Sequence, residues 1–552
     1  LWLEIPVKAK YAPLFHACGE GVRANPAGRI PEGTGVVFKS RDIPQTHLSN
    51  FIPYCWVGTD TRGICYAADT DRDWAHGVTR DAVEIVRETD GTVAIVLNLL
   101  NAPYDMKRPR TFTLGLMASP VKRQPQGWRG WSDGFAYVGT RNARCLYAPP
   151  YWGGFCAWAQ RYPVWGEMEC VRKLRTAMDT GAADTDYFGA FIERVAASFD
   201  KRDDETNWLW GKTPETALAY VRAHVSCGYR IAKELHGKPN PILYPYTCDA
   251  DHSFRLAEHA TFGDSWGANC SVAVASYADY ALWYLDRMLE AGFQGVYNDN
   301  TFVNLDYNWA TGAAWVDEKG EVHPSCGIWA GREYHRRQAV AMTERGLFPW
   351  ITMHHTNGNI LPKLSYGMNT MGMEWKYGKS DFQTRYAPEY IRAVCQGKQL
   401  GVYPTVIDGV TDVGDDSKPE QIRVTRTLLA TTLVHDLRPT CPHGSDMALV
   451  AQTCQRLVDW GVGEDDCDAF LYWDGTNPVI CSDKDVFVTT YRRGGRLLCI
   501  VASWSNEDRT AILSAQGVKT AHNLETGMPL GRGDEGFRLP LPRHDFALVE
   551  MK

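Results

Sequence analysis

The sequence predicts a three-part protein of mixed α/β and β class. An N-terminal β-sandwich is expected over residues 1–135, a central (β/α)8 TIM barrel over 136–460 and a small C-terminal β-sandwich over 461–552. Short apolar runs punctuated by Gly, Asp and Asn predict the first part, and a repeated helix, glycine and strand unit predicts the second. A strand, turn and strand pattern that opens the last stretch predicts the third.

The N-terminal sandwich depends on apolar runs at 33–38, 50–58 and 93–100, the last of which follows a break at Asp90-Gly91. Such short runs between turn residues are typical of antiparallel strands that are buried on one or both faces. Helical periodicity is scarce in this part of the chain, so we expect few helices before residue 135.

The central part repeats a helix that ends at a glycine and is followed by an apolar strand. One predicted helix runs from Tyr220 to Leu235, and a second carries Leu282, Leu285, Met288 and Leu289 on one face. Strands are expected to start near 241, 293, 347 and 400, with room for another over 367–375. This nearly regular spacing favours a parallel barrel. A doubly wound sheet would share the local signal, but no glycine-rich phosphate loop follows any strand.

The C-terminal part opens with two apolar runs, Val486–Tyr491 and Leu497–Ala502, that flank Gly494-Gly495. Two glycines between alternating strands indicate a β-hairpin, because both can adopt the positive φ angles of a tight hairpin turn. We therefore expect a small β-domain behind the barrel.

Composition excludes several classes of protein. The 552 residues are 22% charged and 44% hydrophobic, the ordinary mixture of a globular chain with a large core. Lys and Arg number 58 against 65 Asp and Glu, so no basic excess attracts nucleic acid or an anionic membrane surface. No apolar stretch approaches the ~18 residues of a membrane span. The sequence does not define the oligomeric state.

The 16 cysteines form no CxxC pair and none of the Cys/His spacings of a zinc site, so we expect neither a structural metal nor a cofactor. Free, buried thiols are the main expectation, and a few disulfides in an exported protein are the alternative. The first residues lack the basic and apolar regions of a signal peptide. A mature periplasmic or secreted form, with its leader removed, is expected.

In a parallel barrel the reacting groups lie where strands end, and polar residues stand at these positions. Carboxylates together with histidines and aromatic residues suit glycoside hydrolysis, in which one carboxylic acid protonates the leaving oxygen and a second group attacks. The 20 Trp and 26 Tyr fit sugar rings, whose C–H faces stack on aromatic faces. Metal-dependent hydrolysis could use the same residue types. The candidates at the strand ends are Asp249, Tyr297, Asn298, Asp299, Asn300, His354, His355, Glu374, Trp375 and Asp408.

Two of these residues are the candidate catalytic pair. Asp299 follows a strand directly between two amides that can fix its hydrogen bonds, although a carboxylate there could also cap the next helix. Glu374 stands beside Trp375 among methionines, an apolar setting that favours the protonated form that a general acid needs. Its alternative is a rim carboxylate paired with Lys376.

The other candidates are expected to bind substrate. Asp408 lies near further aspartates, so a solvated acidic loop is an equal alternative, and Asp249 could bind sugar hydroxyls or a divalent ion or could be solvated. Consecutive strand residues point to opposite faces, so at most one of His354 and His355 faces the barrel mouth.

Two N-terminal segments carry a family resemblance. The run Asn50–Gly58, followed by Arg62–Tyr66 and Asp73-Trp74, and the run Phe112–Lys122, followed by Gly127–Arg129, resemble the N-terminal β-sandwich of proteins related to glycoside hydrolase family 123. The resemblance extends more weakly over the rest of the chain.

The resemblance implies a retaining exo-β-N-acetylgalactosaminidase that works by substrate assistance. In that scheme an Asp orients the acetamido group of the substrate and the adjacent Glu is acid and base. The matching pair here is Asn298-Asp299, so the chain departs from the pattern. Asn298 could still orient an acetamido group. Alternatively, Asp299 is a nucleophile and Glu374 the acid, on a sugar without an acetamido group, as in retaining α-glycosidases of barrel fold.

Two other classes remain open from the sequence. A noncatalytic carbohydrate-binding protein would use the same aromatic cleft without cleavage, and Asp299 would then affect affinity alone. A polysaccharide lyase would need a Tyr or His base beside a cation, and Tyr297, His355 and Arg332 could supply these groups.

Overall fold

The structure is a computed structural model, and it describes most of residues 1–130 and 314–552 and short segments between them. Single residues and short stretches in both large parts lie outside the description. The described residues between the two parts are 132–133, 143–145, 231–232, 256–262, 265–268, six positions between 278 and 289, 295–298 and 301–307.

The N-terminal part consists of two antiparallel sheets, as expected for a β-sandwich. One has the order β1-β8-β7-β4 and the other β3-β2-β5-β6-β9. The rings of Phe15 and Phe38, one from each sheet, have centroids 5.3 Å apart, so the two sheets meet in a shared core. The strands are β1 (Leu3–Val7), β2 (Leu14–Cys18), β3 (Ala27–Arg29), β4 (Gly35–Lys39), β5 (Tyr54–Gly58), β6 (Gly63–Ala67), β7 (Val83–Arg87), β8 (Val93–Leu97) and β9 (Gly115–Ser119).

The segments between the two large parts contain short strands, and one of them corrects the sequence analysis. They are β10 (Ser132–Asp133), β11 (Ala143–Cys145), β12 (Ile231–Ala232), β13 (Leu256–Phe262) and β14 (Ser265–Ala268). The helix expected over 220–235 is wrong at Ile231–Ala232, because these residues pair antiparallel with Trp266 and Ser265. A β-branched residue beside an aromatic partner favours a strand over the helix that the spacing suggested. The rest of that helix and the strand expected near 241 lie outside the described residues.

The centre of the described fold is a five-stranded parallel sheet with the order β15-β18-β19-β20-β21. A separate antiparallel hairpin, β16 with β17, lies between the first two strands in sequence. The strands expected near 293, 347 and 400 and over 367–375 are confirmed. The strands are β15 (Gly295–Asn298), β16 (Ala314–Val316), β17 (Val322–Pro324), β18 (Trp350–His354), β19 (Asn369–Lys376), β20 (Tyr403–Gly409) and β21 (Arg438–His443).

Helices connect and cover these strands. They are α1 (Ile328–Glu344), α2 (Leu361–Leu364), α3 (Phe382–Arg385), α4 (Pro388–Cys395), α5 (Lys418–Val434) and α6 (Met447–Trp460). Leu282, Leu285 and Leu289 are also helical, with Leu285 and Leu289 buried, as their spacing predicts, whereas Met288 lies outside the described residues. Alternating strands and helices with parallel pairing make this part α/β. Closure into an eight-stranded barrel stays a prediction, since further strands would fall outside the described residues.

The C-terminal part is a two-sheet β-domain with sheet orders β22-β24-β25-β30-β27 and β23-β26-β29-β28. The hairpin expected over 486–502 is confirmed, and Gly494 and Gly495 in its turn have φ angles of 54° and 76°. The strands are β22 (Asp468–Phe470), β23 (Val479–Cys481), β24 (Val486–Arg493), β25 (Arg496–Ser503), β26 (Arg509–Ala515), β27 (Ala521–Asn523), β28 (Gly531–Arg532), β29 (Phe537–Leu541) and β30 (Phe546–Met551).

Strand β25 shows how this domain attaches to the central part. Its residues Cys499 and Val501 face the core between the two C-terminal sheets, whereas Leu498 and Ile500 pack with buried residues of α5 and α6. Because side chains alternate along a strand, one sheet serves both cores.

The N-terminal sandwich and the central sheet share one continuous core. Apolar residues of the sandwich such as Trp56 and Ile95 belong to the same buried cluster as Val296 and Met353 of the parallel sheet. Across this contact, the largely buried Arg392 of α4 donates to both oxygens of Asp60, at 2.8 and 2.7 Å. The two parts are therefore joined by apolar burial and by a bidentate ion pair.

Nine cysteines of the described residues are free thiols, as the sequence led us to expect, and burial raises the pKa of Cys55, for example, above its ordinary value. Among the described helices, none combines the length and the hydropathy needed to cross a bilayer.

Candidate functional site

The parallel register brings three of the predicted site residues, Asn298, His354 and Glu374, to one edge of the central sheet. Asn298 pairs with Met353, His354 with Met371 and Glu374 with Ile407. The carboxyl ends of β15, β18, β19 and β20 consequently lie side by side, which is where reacting groups of parallel α/β enzymes stand.

The structure describes only part of the predicted set. Asp249, Asp299 and Asn300 lie outside the described residues. Tyr297, Trp375 and Asp408 are placed in β15, β19 and β20, without a described side chain. Asn298, His354, His355 and Glu374 are described in full.

Glu374 and His354 form the polar pair at this edge. His354 Nε2 lies 3.9 Å from Glu374 Oε2, and the Glu374 side chain is 33% exposed whereas that of His354 is 8% exposed. The register of β19 against β20 shifts between Met371 and Glu374. Glu374 is therefore open to solvent on one side and has a mostly buried imidazole on the other.

Thr301 ties the segment after β15 to the end of β18. Its backbone N–H and its hydroxyl both donate to the His354 carbonyl oxygen, each at 2.9 Å. Lys363 of α2 donates from Nζ to the Phe302 carbonyl oxygen at 3.0 Å. These bonds hold residues 301 and 302 beside the His354–Glu374 pair.

His355 faces away from this pair and is fully buried. Its Nδ1 lies 3.2 Å from Asn359 Oδ1, which also accepts the hydroxyl of Thr370 at 2.8 Å. Burial, more than the nearby Lys363, lowers the pKa of His355 well below its ordinary value. His355 is thus a neutral interior group, and of the two histidines only His354 lies beside Glu374.

Asn298 has its amide turned to helix α1. Its Nδ2 donates to Gln338 Oε1 at 3.1 Å, and its Oδ1 accepts from Gln338 Nε2 at 3.0 Å. Both side chains are buried, with 1% exposure for Asn298 and 0% for Gln338. The two hydrogen bonds to Gln338 thus use the side-chain oxygen and nitrogen with which Asn298 would have to bind a substrate acetamido group.

Several polar residues of this edge escaped the sequence analysis. Gln338 looks like one more polar residue of a helix rich in Arg and Gln, and Asn359 stands in an Asn-Gly-Asn stretch typical of a turn. Lys363 gave no signal at all, yet it is buried, and burial lowers its pKa to about 8. Only the contacts that they make in the folded protein distinguish these three residues from other polar residues of the chain.

One group of side chains has the composition of a metal site. Ligand atoms of Asp317, Glu321 and His323 lie within 4.8 Å of one another on the β16–β17 hairpin. Asp317 already accepts the backbone N–H groups of Lys319 and Glu321, both at 2.8 Å, and His323 stacks on Trp315. These contacts account for the group as the closure of a hairpin turn, and we assign no metal to it.

Comparison with known proteins gives one family match and a set of distant structures. Residues 460–522 match the model described as glycoside hydrolase 123, C-terminal domain. No curated protein matches the chain.

The similar solved structures include three glycosidases. A GH36 α-galactosidase from Geobacillus stearothermophilus is 13% identical with a TM-score of 0.42, over 100% of this chain and 76% of its own. A GH27 β-L-arabinopyranosidase from the same organism is 11% identical with a TM-score of 0.33, over 54% and 67%. The α-galactosidase I of Mortierella vinacea is 13% identical with a TM-score of 0.32, over 52% and 72%. Likeness this distant does not establish a shared fold.

The family match lies on the end of α6 and on the first strands of the C-terminal β-domain, a different part of the chain from the two N-terminal segments that carry the resemblance. The parallel sheet between these regions presents the carboxylate of Glu374 at its carboxyl edge. The match over residues 460–522 shows a glycoside hydrolase 123-like C-terminal domain, and by the class of that domain the protein is a glycosidase.

Proposed function

We propose that this glycosidase is exo-acting and retaining, and that its catalytic groups are the carboxylates of Asp299 and Glu374 at the mouth of a (β/α)8 barrel. The observation that carries the proposal is the position of Glu374. Its carboxylate is one-third exposed at the carboxyl edge of the parallel sheet, beside the mostly buried imidazole of His354. A proton donor needs this combination of solvent access and a fixed polar neighbour.

In the proposed reaction, Asp299 attacks the anomeric carbon while the glycosidic C–O bond breaks and Glu374 donates its proton to the leaving oxygen. Glu374, now a carboxylate, then takes a proton from water, whose oxygen attacks the anomeric carbon and releases Asp299. His354, whose Nε2 lies 3.9 Å from Glu374 Oε2, is proposed to orient this carboxylate. Tyr297, Asn300, Trp375, Asp249 and Asp408 are proposed to contact the sugar.

The arrangement of Asn298 favours this scheme over substrate assistance. An orienting amide must direct a free donor or acceptor at the substrate, whereas both ends of the Asn298 amide are bound to Gln338 in the interior. We therefore assign Asn298 to the support of β15.

The test is hydrolysis of aryl glycosides by wild type, Asp299→Asn and Glu374→Gln, with the exposed Glu344→Gln as matched control. The panel holds α- and β-linked galactosides, glucosides, fucosides and N-acetylhexosaminides. General acid catalysis contributes roughly 10²–10⁴-fold, so Glu374→Gln should lose about that factor on a poor leaving group and much less on dinitrophenyl, which departs without a proton.

Azide, an external nucleophile, distinguishes the acid and base role of Glu374 from the nucleophile role of Asp299. It should restore turnover to Glu374→Gln and give a glycosyl azide of retained configuration, because the covalent intermediate still forms. Full activity of Asp299→Asn, or an equal loss of Glu374→Gln activity on all leaving groups, would contradict the assignment. Turnover of β-N-acetylgalactosaminide alone would instead favour substrate assistance.

A further inference from the structure

A polar cavity lies close in sequence to the candidate site. It has a volume of about 510 Å³ and is lined by the loop after β19, by α3 and α5, and by two turns of the C-terminal β-domain. Its lining begins at Lys379, five positions after Glu374. Cavities of ~300–1,000 Å³ are of the size that binds small ligands.

A buried carboxylate organises the wall of this cavity. Asp381 accepts from Arg423 Nη1 at 2.9 Å and from His544 Nδ1 at 2.8 Å, and Arg543 Nη2 lies 3.5 Å from it. The Asp381 side chain is 5% exposed, against 45% for Arg423 and 51% for Arg543. The Asp381 carboxylate therefore lies in the interior of the cavity wall, and the guanidinium groups of Arg423 and Arg543 face the cavity.

The charges of the wall are unevenly compensated. Arg423 also binds both oxygens of Glu420, and Arg426 is bound by Glu525 and Asp545. Arg543, by contrast, has only its 3.5 Å ion-pair contact with Asp381 among the ion pairs of the described residues. The exposed Lys379 has none in the same part of the chain. The lining also includes the exposed carboxylate of Asp508, which accepts the backbone N–H of Arg543 at 2.9 Å.

We propose that this cavity binds an anionic group on a saccharide, with Arg543 and Lys379 as the contacts to its oxygens. Charge-assisted hydrogen bonds to a carboxylate or sulfate would complete the coordination of the two cations. Ser380 and Thr384, which also line the cavity, supply hydroxyl groups for the sugar ring. The saccharide part rests on the proposed function, since the chain acts on glycans.

The arrangement is set before the ligand arrives. Asp381 contacts both helix α5 and a turn of the C-terminal domain, so Arg423 and Arg543 are held near each other without a ligand. Preorganised donors bind with less loss of side-chain entropy than free ones. A sugar acid seated here would contact both the central part and the C-terminal domain.

Isothermal titration calorimetry at low salt tests the proposal with galacturonate, galactose 6-sulfate, inorganic sulfate and neutral galactose. At least one anionic sugar should bind at least tenfold more tightly than galactose. Arg543→Gln and Lys379→Gln should each weaken that binding about tenfold, and Arg538→Gln, an exposed arginine of the same β-domain outside the cavity, should leave it unchanged. Added salt should weaken it as well.

The outcomes separate this site from the catalytic one. Equal affinity for galactose and both anionic sugars, or unchanged binding in Arg543→Gln and Lys379→Gln, would overturn the proposal. Equally tight binding of inorganic sulfate would overturn its saccharide part. The side chains of Arg543 and Lys379 are exposed, so we expect both variants to fold. Thermal unfolding of the variants checks this. Failure of Glu374→Gln to lose turnover would contradict the catalytic proposal and leave these affinities untouched.

Discussion

The Asn298–Gln338 pair is the residue-scale feature with the sharpest consequence. Two amides can exchange two hydrogen bonds only because each has both a donor and an acceptor. A carboxylate at either position has no donor, so one of its oxygens would face the acceptor oxygen of the remaining amide in a buried place.

We therefore expect Asn298→Asp to lower the free energy of unfolding by ~1–3 kcal/mol, the cost of an unsatisfied buried polar group. The change recreates an acidic pair with Asp299, yet it should not raise β-N-acetylgalactosaminidase activity, because the side chain at 298 faces helix α1. Urea unfolding and the aryl glycoside assay measure the two effects. Increased turnover in Asn298→Asp would restore substrate assistance as the leading scheme.

The same pair shows where sequence reasoning about single residues reaches its limit. The position of Asn298 at a strand end was predictable, because the apolar run before it stops there. The direction of its amide was not, since that depends on Gln338, which lies 40 positions away on a helix. His354 and His355 illustrate the same point: strand alternation separates them, but Asn359 and Glu374 decide which one lies in the interior.

At the scale of elements, helix α6 depends on a cap at each end. Asp446 Oδ1 accepts the Leu449 backbone N–H at 2.8 Å at the first turn, and Gly461, with φ of 108°, ends the last turn. Asp446 is also 2.6 Å from Lys418 at the start of α5. The family match begins at the end of this helix, so α6 leads directly into the matched domain.

Removal of the N-terminal cap should cost about 1 kcal/mol. Asp446→Ala is expected to lower the free energy of unfolding, measured by urea titration, by that amount. Asp446→Asn keeps a capping oxygen and loses only the ion pair with an exposed lysine, so it should change the free energy of unfolding little. Equal destabilisation by both changes would show that the contact with Lys418, and not the cap, stabilises the helix.

Element types were predictable to the extent that they depend on local pattern. The parallel strands, the leucine-faced helix and the C-terminal hairpin each follow from apolar spacing and glycine position. Ile231–Ala232 shows the limit, because pairing with Trp266 and Ser265 from a distant segment overrides a helical spacing. Long-range pairing is invisible in a window of a dozen residues.

At the scale of the whole molecule, buried histidines make stability depend on pH. Burial lowers the pKa of His16, His335 and His435 to about 3, whereas each would titrate near 6.5 in the unfolded chain. A base with a depressed folded-state pKa is neutral in the fold and gains a proton on unfolding. Its contribution to stability is therefore complete above pH 6.5 and is lost as the pH falls from 6.5 towards 3.

We expect the free energy of unfolding, measured by urea titration between pH 7.5 and 4.5, to decrease steeply below pH 6.5. Each histidine contributes up to ~1.4 kcal/mol per pH unit in this window. His435→Gln should make the decrease shallower, since one protonation step is removed. A flat profile down to pH 4.5 would show that these imidazoles are protonated without unfolding.

The three parts of the chain meet in one buried ion pair. Arg129 donates from Nε and Nη2 to Asp436 Oδ2, at 2.9 and 2.6 Å, and the Tyr491 hydroxyl of the C-terminal domain donates to the same carboxylate at 2.8 Å. Burial alone would lower the pKa of Arg129. The negative charge of the nearby Asp436 outweighs this effect and keeps the pKa of Arg129 above its ordinary value.

Loss of one partner from a buried pair costs ~3–5 kcal/mol, because the other charge stays behind. Arg129→Leu should therefore destabilise the protein by up to that amount, because Arg438 Nη1 still lies 3.8 Å from Asp436 Oδ1. The same change should cost less in an Asp436→Asn background. A double-mutant cycle by chemical unfolding measures the coupling. Simple additivity of the two changes would exclude the pair as a joint between the three parts.

The common core of the N-terminal sandwich and the parallel sheet decides what can be cut from this chain. A fragment that lacked the sandwich would present to water the apolar surface that Trp56, Ile95 and their neighbours now cover, and large exposed patches of this kind lead to aggregation. The sandwich and the parallel sheet, which carries Glu374, are therefore expected to fold as one unit. An insertion or fusion is better tolerated in an exposed C-terminal turn such as Gly494-Gly495 than at the junction near residue 130.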